Sequence, residues 1–88
     1  MEKIVAGLEE VASTIKKSSQ PAVVSQAIQN LRKELAPLKD GAENAVFVTL
    51  DEELAVWQKK LDVILKEPAG REGMVKHARH WAEKLRNP

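Results

Sequence analysis

The chain has 88 residues, enough for one small domain and too few for two. Apolar residues make up 43% and charged residues 31%, a globular balance that excludes an intrinsically disordered chain. Fourteen Lys and Arg stand against 13 Asp and Glu, so a formal charge of +1 gives no global pull toward nucleic acid or anionic membrane, and zero cysteines exclude a disulfide framework or a thiolate site.

The first segment repeats Ile4, Leu8, Val11 and Ile15, with Val5 and Ala12 beside them. Steps of three and four residues stack side chains on one face of a helix. Glu9 and Glu10 interrupt the early apolar residues before a signal-peptide core forms. No apolar run approaches the roughly 20 residues of a membrane span. The expectation is a soluble, cytoplasmic protein with no membrane partner.

Ser18-Ser19-Gln20-Pro21 reads as a helix stop followed by a new start, with proline near the first turn. The second stripe is Val24, Ala27, Ile28, Leu31, Leu35 and Leu38, with Pro37 near its end and Asp40-Gly41 after it.

Residues 44–49 break the helical pattern. Val46, Phe47, Val48 and Thr49 favour a strand by propensity. No second strand exists in the sequence to pair with it, while a weak capping box over 40–43 allows a short helix. The expected form is a linker or short helix whose Val46, Phe47 and Val48 plug one end of a bundle. The functional alternative is an edge that pairs with a partner.

Thr49-Leu50-Asp51-Glu52 matches a capping box and predicts the start of the third helix. Its stripe is Leu50, Leu54, Trp57, Leu61, Ile64 and Leu65. Asp51, Glu52 and Glu53 suit the positive end of the helix dipole, and Lys66 suits the negative end. Val56 and Val63 lie off the stripe and form a small second seam beside Lys59 and Lys60. That seam is either covered by a neighbour or is a contact strip for a partner or a second copy.

Pro68-Ala69-Gly70 marks a further break, and Met74, Ala78, Trp81 and Leu85 make the fourth stripe. Four one-striped helices bury their faces most simply against each other. The predicted fold is all-α: a small antiparallel four-helix bundle over residues 1–88, with a short irregular or extended segment before the third long helix.

The chemistry concentrates in Lys76-His77-Ala78-Arg79-His80-Trp81. Trp81 joins the packing stripe, whereas His77 and His80 face sideways or outward. Two histidines fall short of the three or four ligands of a stable zinc site, and Lys76 and Lys84 repel a bound cation. No metal and no cofactor are expected. Leu85-Arg86-Asn87-Pro88 resembles the tail of the phosphoacceptor box of sensor histidine kinases, where the histidine sits three residues before the arginine. Glu83 holds that position here, so the resemblance implies no phosphotransfer.

Lys76, His77, Arg79, His80, Lys84 and Arg86 form a basic edge and a candidate nucleic-acid contact. The third and fourth helices also suggest a helix-turn-helix, although a connection from Glu67 to Gly73 exceeds the roughly four-residue turn of that motif. Asp40, Glu43, Asp51, Glu52 and Glu53 form an acidic counterpart with no cation among them between positions 40 and 53. No Gly-framed nucleophile, phosphate loop or dinucleotide fingerprint occurs, so no enzyme is expected. The favoured reading is a protein–protein interaction module or regulatory subunit, self-associating or bound to another protein. Val46, Phe47, Val48, Val56 and Val63 are its candidate contacts, and nucleic-acid binding is the alternative.

Overall fold

The computed structural model describes residues 2–18, 20–40 and 45–87. They form four α-helices and one 3₁₀ turn: α1 (Glu2–Lys17), α2 (Pro21–Leu35), the 3₁₀ turn Ala36–Asp40, α3 (Ala45–Ile64) and α4 (Pro68–Arg86). No strand occurs among the described residues, and the all-α prediction holds.

Helix α1 is the central element, packed between α4 and α2, while α3 lies mainly on α2. Neighbours meet in opposite senses. Arg71 reaches Ile15 near the end of α1, and Arg86 reaches Glu9 nearer its start. Arg32 meets Asp51, whereas Ser25 meets Gln58. These pairings fit antiparallel neighbours.

The apolar stripes read from the sequence are the core. Ile4, Leu8, Val11 and Ile15 of α1 and Val24, Ile28, Leu31 and Leu35 of α2 are buried, as are Leu50, Leu54 and Leu61 of α3. Helix α4 buries a broader face than its predicted stripe, adding Val75 and Ala82 to Met74, Ala78, Trp81 and Leu85. It packs on α1 along one flank and meets α3 on the other. Two neighbours cover a wider arc than one.

Three boundaries differ from expectation. Helix α3 begins at Ala45, so residues 45–49 are helical, and neither linker nor strand. Thr49 therefore does not cap the helix; its hydroxyl donates to the Ala45 carbonyl one turn back. The irregular segment comes earlier, as the 3₁₀ turn that contains Pro37. Asn44 and most of the capping box at 40–43 lie outside the described residues. Pro68-Ala69-Gly70 is the first turn of α4, not a break before it. Pro21 and Pro68 both occupy the first helical turn, where the missing N–H costs no intrahelical bond.

The α3–α4 corner needs a glycine. A Cβ on Gly70 would lie 2.5 Å from the Ile64 carbonyl oxygen, which is backbone and cannot rotate away. A Cβ on Gly73 would meet nothing within 4 Å. Gly70→Ala is therefore expected to destabilise by about 1–2 kcal/mol through displacement of the corner. Gly73→Ala should stabilise by roughly 0.5–1 kcal/mol through helix propensity. Urea denaturation of the two variants checks the opposite signs.

Candidate interaction surfaces

Between α2 and α3 runs a polar seam. Ser25, Gln29 and Arg32 follow each other on α2 at helical spacing, and Asp51 and Gln58 lie two turns apart on α3. Arg32 Nε donates to Asp51 Oδ1 at 2.8 Å, and its Nη1 donates to Gln58 Oε1 at 2.8 Å. Lys39, on the 3₁₀ turn, donates to Asp51 Oδ2 at 2.9 Å. Gln58 Nε2 in turn reaches the Ser25 carbonyl at 3.3 Å and Gln29 Oε1 at 3.2 Å.

Asp51 is only 7% exposed and is the one buried charged residue among those described. The Arg32 hydrogen bond holds its carboxyl below the ordinary carboxylate value; burial opposes this, and Lys39 adds to it. The acidic patch expected over positions 40–53 is thus no open surface at Asp51. Its cations come from α2 and the 3₁₀ turn. Glu53 is also engaged, accepting from Trp81 Nε1 at 2.6 Å. Glu43 lies outside the described residues.

Trp57 and Trp81 stand between α3 and α4. These large rings hold the two backbones apart, so the helices touch mainly through side chains. His77 meets the Trp57 ring edge-on at a centroid distance of 6.1 Å, and Lys84 lies over Trp81 at 5.0 Å.

All six residues of the predicted basic edge, Lys76, His77, Arg79, His80, Lys84 and Arg86, are exposed. The structure nevertheless employs several of them internally. Arg86 pairs with Glu9, Lys84 covers Trp81 and His77 abuts Trp57. Nearby Arg71 donates to the Ile15 carbonyl at 2.6 Å, in the last turn of α1. No group of three or more potential metal ligands occurs among the described residues.

The connection between α3 and α4 is only Leu65-Lys66-Glu67. The length argument against a helix-turn-helix therefore fails, and a geometric one replaces it. Glu53–Trp81, Trp57–His77 and Ile64–Gly70 are successive contacts along both helices. The helices run side by side as a hairpin, whereas the DNA-binding motif crosses at about 90–120°.

The predicted contact residues divide. Phe47 packs against the core, and Val48 is half-buried. Val46, Val56 and Val63 are exposed, Val56 at 47% and Val63 at 71%. Val46 lies about a quarter-turn round the helix from Val56, outside the Val56–Val63 line. That line is flanked by exposed Glu52, Lys59 and Lys60. No described helix is long and apolar enough to cross a membrane.

Comparison with known proteins finds no matching family model, curated protein or solved structure.

Proposed function

We propose that this chain is a small cytoplasmic protein–protein interaction module or regulatory subunit that acts by contact, not catalysis, through the outer face of α3. The observation that carries this reading is the pair Val56 and Val63. Both remain exposed in line on a helix whose opposite face buries Leu50, Leu54 and Leu61. Scattered single valines are ordinary on protein surfaces, but two in register on one helix offer a partner a continuous apolar line. The area is small, which suits a transient contact better than an obligate one.

Nucleic-acid binding through α4 is the weaker reading. Three of its five cations are engaged within the fold, Arg86 with Glu9, Arg71 with the Ile15 carbonyl and Lys84 with the Trp81 ring, which leaves Lys76 and Arg79 short of a continuous stripe.

The test is cross-linking in native cells from a photoreactive residue at position 62, exposed on α3 next to Val63, with and without Val56→Asp. A specific cross-linked partner, or a second copy, is expected and should fall at least about tenfold with the substitution while thermal stability stays unchanged. Equal recovery from the Val56→Asp chain would sink the reading. A gel shift that weakens steeply with salt and is indifferent to Val56→Asp would move the function to α4.

A further inference from the structure

The charges beside Val56 and Val63 stand apart from the ion pairs that tie the described helices together. Glu52, Lys59 and Lys60 are exposed, and no ion pair joins them to any described residue. Residues seven apart lie within about 20° of each other around a helix and about 10 Å apart along it. Glu52 and Lys59 therefore flank one side of the valine line, and Glu53 and Lys60 flank the other. On each side an acid precedes a base by two turns, too far to pair within the helix.

We propose that the outer face of α3 docks on α3 of a second copy of this chain, antiparallel, with the two-fold axis passing at Val56. This rests on the reading of that face as a protein contact and names its occupant. A two-fold axis perpendicular to the helices keeps each flank on its own side and reverses its order along the axis. With the axis at Val56, Glu52 comes within about one residue's rise of Lys59 of the second copy. Glu53 comes level with Lys60 of the second copy, but its Oε2 already accepts from Trp81 Nε1, so the Glu52–Lys59 pairs carry the register. Val56 meets its own image, and Val63 faces Thr49 of the second copy. The Thr49 hydroxyl is already bonded to the Ala45 carbonyl, which leaves its methyl group to pack.

The charges select this register over its competitors. An axis midway between Val56 and Val63 would match the valines better but set Lys59 against Lys59 and Lys60 against Lys60. A parallel pairing in register would set every charge against its like. Like charges directly opposite repel, and each flank contains only the one antiparallel arrangement that joins acid to base. The contact spans Thr49 to Val63, about 21 Å of helix. That is below the size of a stable interface, so the dimer is weak, with a dissociation constant of roughly 100 µM.

Sedimentation equilibrium of the full chain at low salt, from about 10 µM to 2 mM, tests this by bracketing that constant. The weight-average mass should rise from one chain toward two. Glu52→Lys and Lys59→Glu each turn two attractions into two repulsions, and each alone should weaken the dimer about tenfold. An equimolar mixture of the two variants should restore parental affinity, because each then supplies the charge the other lacks. Both positions are exposed, and circular dichroism should report unchanged helix content.

A parent that stays monomeric to 2 mM overturns the proposal, as does a mixture no tighter than its components. If the parent is monomeric while Val56→Asp still abolishes a cross-linked hetero-partner, only the second copy falls and the α3 contact stands. If Val56→Asp also leaves cross-linking untouched, both fall.

Discussion

Leu8→Ala is expected to cost about 3–4 kcal/mol, because it opens a cavity at the centre of the bundle. Leu8 lies at the middle of the apolar stripe of α1, with 0% exposure. Because α1 packs between α2 and α4, a cavity there faces both interfaces at once and neither can close it alone. A chain of this length has a total stability of roughly 4–13 kcal/mol. The substitution should therefore remove a large share of it and lower the melting temperature by about 15–25 °C. Val63→Ala supplies the contrast. That side chain is 71% exposed, and its loss should stay within about 0.5 kcal/mol. Urea titrations followed by circular dichroism measure both. A Leu8→Ala cost under about 1 kcal/mol would mean that α1 does not sit between its two neighbours as described.

What could be read from the chain follows from the range of the interactions involved. The stripes Ile4–Leu8–Val11–Ile15 and Leu50–Leu54–Leu61 record a helical period directly, and all seven side chains are buried. The off-stripe position of Val56 and Val63 was legible for the same reason. Helix starts were not. Thr49-Leu50-Asp51-Glu52 has the letters of a capping box, yet α3 runs through it because Phe47 one turn earlier packs on the core. Packing of Phe47 outweighs the strand propensity of its β-branched neighbours, which is a small term.

The polar seam was the main omission. Asp51 finds its partners 19 and 12 residues earlier in the chain, so no local pattern announces them. A signal did exist. Asp51 and Gln58 flank the α3 stripe at the spacing of two turns, and Ser25, Gln29 and Arg32 flank the α2 stripe in the same way. Two polar lines at the edges of adjacent apolar stripes predict a seam once the helices are known to be neighbours. Assigning Asp51 to a helix start hid that possibility. The same assignment made positions 40–53 look like an acidic surface, although Asp51 and Glu53 both have partners from elsewhere in the fold.

Asp51→Ala should cost about 2–3 kcal/mol, and Asp51→Asn about half of that, because the amide keeps one acceptor for Arg32. Breaking a fully buried ion pair costs more. Here the side chains of Arg32 and Lys39 are 31% and 36% exposed, so both cations can turn toward water when the carboxylate is removed. The dependence on pH distinguishes the charge from the shape. The carboxyl of Asp51 titrates below its ordinary value in the folded chain, chiefly because Arg32 hydrogen-bonds its ionised form. The unfolded chain then binds the proton more readily than the folded one, so stability falls as the solution becomes more acidic. The contribution is complete above the unfolded value of about 3.9 and is lost as pH falls through the lower folded value. The gap in urea midpoint between the parent and Asp51→Asn should be constant near neutrality and close progressively in acid. Other carboxylates protonate over the same range, but they are common to both chains and cancel in the difference. A gap unchanged down to about pH 2.5 would assign Asp51 a role in packing alone; one that closes would make its charge the lock between α2, the 3₁₀ turn and α3. That lock holds α3 by its inner edge and leaves the opposite, valine-bearing face open to a partner.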